Sequence, residues 1–128
     1  MEQNEMPTFE QLIEGARNED WDFVDKNIND GHLTSERINW AVNTGLSDEN
    51  NNIRDFAATL LDKSDYPLIS DNTEKLKKIM ANDLYHIVRY RLAIALYKRG
   101  DKSSEVQQMM LEAQNDPDVG DLARKFFK

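Results

Sequence analysis

Apolar residues recur through this chain at intervals of three and four positions, and no window alternates apolar with polar residues over more than a few positions. Intervals of three and four place side chains on one face of a helix, whereas strict alternation is typical of a strand. The sequence therefore predicts an all-α protein without a sheet. Eight amphipathic helices joined by short loops pair as four helical hairpins over residues 8–30, 34–63, 72–99 and 103–127.

Residues that start and stop helices separate these apolar stripes. Thr8 followed by Gln11 is typical of a capping box, and Asp20 is expected to cap the second helix. Gly31 should end that helix in the left-handed conformation. Asp116 is expected to cap the eighth helix, which would then run towards the end of the chain.

Three segments repeat one pattern of apolar and small residues. They read NNNIRDFAATLL at 50–61, HIVRYRLAIAL at 86–96 and DPDVGDLARKFF at 116–127. The offsets between them are 35 and then 31 residues, within the range typical of stacked helical units. A single hairpin cannot bury its own apolar face, so neighbouring hairpins must cover it, and small alanines let their helices approach closely.

At these residues the chain resembles the HEAT repeat, in the short form known from phycobilisome lyases and bacterial scaffold proteins. The second helix of that unit typically reads Asp-x-x-Val-Arg-x-x-Ala-Ala-x-x-Leu. The matching residues are Ile53, Arg54, Ala57, Ala58 and Leu61, then Val88, Arg89, Ala93 and Leu96, and finally Asp116, Val119 and Ala123. The resemblance implies a right-handed α–α superhelix of about four hairpins, formed by residues 1–128 as a single domain, whose second helices line a concave face.

Arg54 and Arg89 occupy the arginine position of this family, and Gly120 stands there in the last copy. The resemblance implies that such an arginine bonds an acid of the adjacent repeat and so forms a structural ladder along the stack. Ligand binding is the alternative role for these two side chains. Because Gly120 has no side chain, the ladder is expected to be incomplete.

The net charge of −8 is unevenly distributed along the chain. Residues 1–71 contain 16 acidic and 5 basic side chains, whereas residues 72–128 contain 8 acidic and 11 basic ones. An acidic surface repels nucleic acid and attracts a cationic protein, although acidic residues also serve solubility alone. The residues expected to contact a basic protein partner are Glu19, Asp20, Trp21, Asp22, Asp55 and Asp62.

A second, basic set of residues lies on the second helices of the last two hairpins. It consists of Arg89, Tyr90, Tyr97, Arg124 and Lys125. Bases interleaved with aromatic rings suit phosphate backbones, and the resemblance extends to DNA glycosylases built from HEAT-like repeats. The acidic first half opposes tight binding to a polyanion, so nucleic acid is the alternative partner.

Candidate catalytic and metal-binding groups are few. His32 and His86 lie 54 positions apart, and the chain has no cysteine. A Gly-rich phosphate loop, a nucleophile elbow and EF-hand spacing are all missing from the sequence. Glu10 and Glu14 share a helical face, as acids on exposed helices commonly do. We therefore expect no enzyme, no cofactor and no metal centre, with His32 solvated in a loop.

The function expected from these observations is non-catalytic binding of a protein partner along a repeat surface, as in a scaffold. An acidic immunity or inhibitor protein that neutralises a cationic toxin or nuclease is the alternative, and nucleic-acid binding on the basic face is a second one. Family resemblance would also allow a bilin lyase, for which no residue argues. Neither a signal-peptide pattern nor an apolar run of bilayer length is visible, so a cytoplasmic protein is expected.

Overall fold

A computed structural model describes residues 7–127 of the chain, apart from the side chains of Asp30 and Phe127. These residues form eight α-helices and three 3₁₀ turns, with no strand among them. The α-helices are α1 Phe9–Arg17, α2 Trp21–Asn27, α3 Ser35–Asn43, α4 Asn51–Lys63, α5 Ser70–Asn82, α6 His86–Lys98, α7 Ser104–Ala113 and α8 Gly120–Arg124. The 3₁₀ turns are Asp30–His32, Gly45–Ser47 and Lys125–Phe127. The prediction of an all-α protein with eight helices is confirmed.

Side-chain caps begin three of these helices. Thr8 Oγ1 accepts a hydrogen bond from the N–H of Gln11 at 3.1 Å, and Gln11 Oε1 accepts one from the N–H of Thr8 at 2.7 Å, so the predicted capping box of α1 is confirmed. Thr34 caps α3 and Asn50 caps α4 through their side-chain oxygens. Each cap satisfies a backbone N–H that has no partner inside its helix. Within residues 7–127, no helix is both long and apolar enough to cross a bilayer.

The second helix ends earlier than the sequence predicts. α2 stops at Asn27, and Gly31 lies in the following 3₁₀ turn, so the prediction that Gly31 ends this helix is wrong. Asp20 precedes α2 but makes no side-chain capping bond.

The prediction of a solvated His32 is also wrong, because this side chain is only 4% exposed. His32 Nδ1 accepts the N–H of Asn29 at 3.2 Å, which leaves Nε2 to donate to the carbonyl of Pro7 at 3.1 Å. The early end of α2 lets the chain turn inward and bury this hydrogen-bonded ring.

The eighth helix begins later than predicted. Asp116 does not cap it, because Asp116 Oδ2 accepts the N–H groups of Asp118 at 2.8 Å and Val119 at 2.9 Å and folds residues 116–119 into a turn. α8 then starts at Gly120 and has only five residues.

The helices α4 and α6 form the centre of the molecule, and their contact is the most extensive between any two elements of the described chain. Every residue of α4 from 55 to 62 is buried. Ala57, Ala58, Ala93 and Ala95 are fully buried on these two helices.

The remaining helices pack around this centre. α3 contacts α4 and α5 contacts α6, while α1 lies against α4 and α7 against α6. Neither the pair α2 and α4 nor the pair α6 and α8 is among the extensive contacts of the described chain. Within residues 7–127, second helices therefore stack extensively on one another only in the two middle pairs. Trp40 joins Phe9 and Phe56 in an aromatic cluster with ring centroids 5.1–6.1 Å apart.

The 35-residue repeat is reproduced in backbone and side-chain detail. α4 and α6 each contain 13 residues and begin 35 positions apart. Arg54 Nη1 donates to the carbonyl of Asp48 at 3.1 Å, and Arg89 Nη1 donates to the carbonyl of Asp83 at 2.7 Å. Both arginines therefore bind the carbonyl six residues earlier, in the turn that precedes their own helix.

The last copy makes the same kind of bond with a different arginine. Arg124, four residues after Gly120, donates Nη1 to the carbonyl of Gln114, which lies 31 positions after Asp83. A Cβ atom on Gly120 would lie 2.8 Å both from Arg124 Nη1 and from that carbonyl oxygen. Gly120 therefore leaves the space through which Arg124 reaches the turn.

We expect Gly45→Ala to destabilise the protein by about 1–3 kcal/mol, the usual cost of overpacking a core. An added Cβ would lie 2.7 Å from the Cβ of Ala57 on α4 and 2.8 Å from the ring of Trp40. Urea unfolding measures the loss, with Ser47→Ala as the control because Ser47 is exposed in the same 3₁₀ turn. Equal stability of the two variants would contradict this close packing.

Candidate functional site

One arginine binds two buried carboxylates at the interface of α4 and α6. Arg91 Nε donates to Asp55 Oδ1 at 2.9 Å, and Arg91 Nη1 donates to Asp62 Oδ2 at 2.8 Å. The side chains of Asp55 and Asp62 are 8% and 3% exposed, and that of Arg91 is 18% exposed. We call these three residues the Arg91 cluster.

The Arg91 cluster places more negative than positive charge in the interior. Burial raises the pKa of the Asp55 and Asp62 carboxyls above the ordinary value of 3.8, and the guanidinium of Arg91 only partly opposes this rise. Both carboxylates bond the one guanidinium, and the charges of Lys63 and Lys98 also favour the ionised form of Asp62, yet the loss of water on burial outweighs them. Arg91 is therefore the one described cation that bonds both carboxylates and stabilises their charged forms.

Two other arginines form bonds at the two ends of α4, one from α4 itself and one from the residue after α6. Arg54 pairs with the Asp83 carboxylate through bonds of 2.9 and 3.1 Å, which link the second helix pair to the third. At the other end Arg99 donates to the carbonyls of Leu61, Ser64 and Tyr66 at 2.8–3.0 Å. Arg99 thereby satisfies carbonyls at a helix end, which lack partners within the helix itself.

The predicted basic face is largely occupied by contacts within the chain. Arg89 binds the Asp83 carbonyl, and Arg124 pairs with Asp121 and the Gln114 carbonyl. The ring of Tyr90 lies 5.8 Å from that of His86. The other two members differ in environment, since Tyr97 lies under the ammonium of Lys102 while Lys125 is exposed.

A polar pocket of about 330 Å³ opens beside the Arg91 cluster. Residues from all four sequential helix pairs line it: Trp21 and Asp25 of α2, Asp55 and Thr59 of α4, Tyr85, Ile87 and Arg91 at or on α6, and Asp118 before α8. We call this site the acidic pocket. The first and last helix pairs therefore both border this pocket.

The turn between α1 and α2 places the tryptophan of this pocket. Glu19 closes the turn with a φ of +62°, in the left-handed region that few non-glycine residues adopt. α2 begins two residues later at Trp21, which is partly buried against the core. Asp25 follows four positions after Trp21 and therefore lies on the same face of the helix.

Acidic side chains outnumber basic ones in the lining of the acidic pocket, with three aspartates and one arginine. Burial raises the pKa of the Tyr85 hydroxyl, and the carboxylates of Asp55, Asp118 and Glu19 raise it further. Asp25 and Asp118 are exposed, and among the described residues neither forms an ion pair with a basic side chain. Their charges are therefore available to an incoming cation.

The residues predicted to contact a partner divide into three groups. Trp21 and Asp55 line the acidic pocket, and Glu19 acts on its Tyr85. Asp20 and Asp22 are exposed next to Trp21. Asp62, expected at the surface, is instead buried against Arg91 because it lies on the face of α4 that packs on α6.

Sequence reasoning identified Trp21 and Asp55 but missed the other six residues that line the pocket, among them the exposed acids Asp25 and Asp118. The spacing of Asp25 from Trp21 could have revealed the first, since residues four apart share a helical face. Asp118 comes from a turn that the sequence assigned to a helix. Its place beside α2 depends on contacts far apart along the chain.

Asp118 of the pocket also belongs to a group of three side chains with the chemistry of metal ligands. His86 Nε2 lies 3.3 Å from Asp116 Oδ1, and with Asp118 their ligand atoms all lie within 4.8 Å of one another. Imidazole and carboxylate groups can hold a divalent cation. His86 and Asp118 are exposed, whereas the Asp116 side chain is only 5% exposed.

We expect Arg91→Met to lower the free energy of unfolding by about 3–5 kcal/mol at pH 8, because it leaves two buried carboxylates without their cation. Removing the cation raises their pKa further, so the folded variant binds protons more readily than its unfolded chain. The stability of the variant should therefore rise as the pH falls from 8 to 5, and its deficit relative to the native protein should shrink.

Urea unfolding at both pH values measures this deficit. Arg17→Met is the matched control, because Arg17 pairs with Glu14 on an exposed helix surface and its loss should cost less than about 1 kcal/mol. A deficit of the Arg91 variant that stays constant between pH 8 and pH 5 would contradict the role given to the two carboxylates.

Comparisons of the chain with protein-family models, with curated proteins and with solved structures return no match. The HEAT-like character of the repeat therefore stays a prediction from the residues themselves. What the site can bind follows from its own geometry and charge.

Proposed function

We propose that this chain is a non-catalytic protein-binding module that recognises a partner with a basic surface. Its architecture in this proposal is a HEAT-like right-handed superhelix of four helix pairs. The repeated arginine-to-carbonyl bonds of Arg54 and Arg89 support the repeat, as does the extensive contact between α4 and α6. The link from Arg54 to Asp83 is of the kind expected in a ladder between adjacent units.

The acidic pocket is the observation that carries this proposal. It collects side chains from all four helix pairs into one concave surface, and its carboxylates on Asp25 and Asp118 have no described basic partner. The exposed acids Asp20 and Asp22 stand beside it and extend the negative field. Such a field speeds the encounter with a cationic protein and selects against anionic ones.

Charge also favours a protein over nucleic acid as the partner. Most members of the predicted basic face are engaged within the chain, and Arg91 and Arg99 bind groups of α4. A phosphate backbone needs several available cations to release counterions on binding. An inhibitor of a cationic toxin or nuclease is a special case of the proposed function, in which the basic partner is that protein.

The test compares affinity capture by the native chain with capture by Asp20→Lys/Asp22→Lys. The matched control is Asp71→Lys/Glu74→Lys, which makes the same charge change at exposed acids of α5. At about 50 mM salt, where surface charges are weakly screened, we expect the native chain and the control to retain a basic protein. The reversed variant should retain at least about tenfold less of it.

Equal retention of that protein by all three chains would contradict the proposed function. Retention of nucleic acid in place of a protein would contradict it as well. Recovery of a secreted toxin or nuclease would narrow the module to an inhibitor.

A further inference from the structure

We infer that the acidic pocket receives one arginine side chain from the partner. This inference rests on the proposed function and specifies the residue that the partner inserts. The pocket offers two carboxylates, Asp25 and Asp118, that come from opposite ends of the fold and converge on one space. Aromatic side chains, Trp21 and Tyr85, line the same space.

The size of the pocket suits a single side chain. Its volume of about 330 Å³ lies at the lower end of the range for sites that hold small molecules. Its lining is strongly polar for its size, with three carboxylates, one guanidinium and the hydroxyl-bearing residues Thr59 and Tyr85. A site with this lining favours a compact cation over an apolar ligand or a large cofactor.

The guanidinium of Arg91 does not cancel the attraction for a second cation. Its Nε and Nη1 atoms are directed at Asp55 and Asp62, so these three residues together retain an excess of negative charge. Asp25 and Asp118 add two further carboxylates on the solvent side. Burial is the main cause of the raised pKa of the Tyr85 hydroxyl, and the carboxylates of Asp55 and Asp118 raise it further at the pocket wall.

Arginine fits this surface better than lysine does. A guanidinium has five N–H donors in one plane, so it can bond two carboxylates that lie on different sides of it while its faces stack on aromatic rings. An ammonium group is a more strongly hydrated point charge and loses more on leaving water. The protein already contains one guanidinium that bonds two carboxylates, since Arg91 bonds both Asp55 and Asp62.

The test is an NMR titration of the full chain with the peptide Ac-Gly-Arg-Gly-NH₂. Two matched peptides replace arginine with lysine or with citrulline, which keeps the shape of arginine but carries no charge. The indole N–H resonance of Trp21 reports on the pocket, and that of Trp40 is the internal control because Trp40 lies in the aromatic cluster with Phe9 and Phe56.

We expect the arginine peptide to shift the Trp21 resonance in a saturable way and to leave Trp40 unchanged. The lysine peptide should bind at least about threefold more weakly, and citrulline should give no shift. Asp25→Asn/Asp118→Asn should weaken the arginine peptide about tenfold, since it removes two charge-assisted partners. The control Asp20→Asn/Asp22→Asn should weaken it less than about threefold, through the long-range field alone.

Three results would overturn the inference. One is an equal shift of Trp21 by the citrulline peptide, and another is unchanged binding by Asp25→Asn/Asp118→Asn. The third is binding that requires added Zn²⁺, which would assign Asp118 to a cation site with His86 and Asp116.

If the arginine peptide does not bind while the native chain still captures a basic protein that Asp20→Lys/Asp22→Lys loses, the proposed function stands without the arginine pocket. If capture fails as well, the proposed function fails with it.

Discussion

Arg91 bonds two carboxylates that stand seven residues apart on α4, and this contact fixes how the two central helices lie against each other. Both acids are nearly out of contact with water. A shift of α6 along α4 that broke these bonds would therefore leave buried charges without a partner. Two further contacts act on the same interface. Arg54 joins it to Asp83 at one end, and Arg99 binds the last carbonyls of α4 at the other.

The same contacts explain why the predicted basic face offers fewer free cations than the sequence suggests. The second half of the chain carries an excess of basic residues, which led to the prediction of a basic face. Much of that excess is used internally, because Arg89, Arg91, Lys98 and Arg99 bind carbonyls or carboxylates of the preceding turns and helices. The basic residues counted in the sequence are therefore not all available to a partner, and the interior also takes up the acids Asp55 and Asp62.

Local features of the fold could be predicted from the sequence, since their causes lie within a few residues. The capping box of Thr8, the start of α4 after Asn50 and the 35-residue offset between α4 and α6 all follow from short patterns. The site could be predicted only in part. Trp21 and Asp55 were identified, but Asp118 reaches the pocket through the way distant helices pack, which no local pattern encodes.

The errors share a physical origin. His32 was assigned to solvent because a loop after a glycine is usually wet, yet its ring finds hydrogen-bond partners on both sides, including the carbonyl of Pro7 far back in the chain. Asp62 was assigned to the surface because acids usually lie there. Its burial depends on Arg91, which stands two positions beyond the arginine of the repeat pattern. In both cases a distant partner outweighs the ordinary preference of the side chain.

The exchange between Gly120 and Arg124 bears on how units of this kind diverge. In all three copies a backbone carbonyl in the turn before the helix accepts a hydrogen bond from an arginine. That arginine can stand in the first or in the second turn of the helix. A comparison of the copies at the position of Arg54 and Arg89 alone would conclude that the last copy has lost its arginine. Its turn is nevertheless bonded by an arginine in the same way. An arginine at position 120 would place two guanidinium groups at a single carbonyl oxygen. Gly120 and Arg124 are therefore expected to change together.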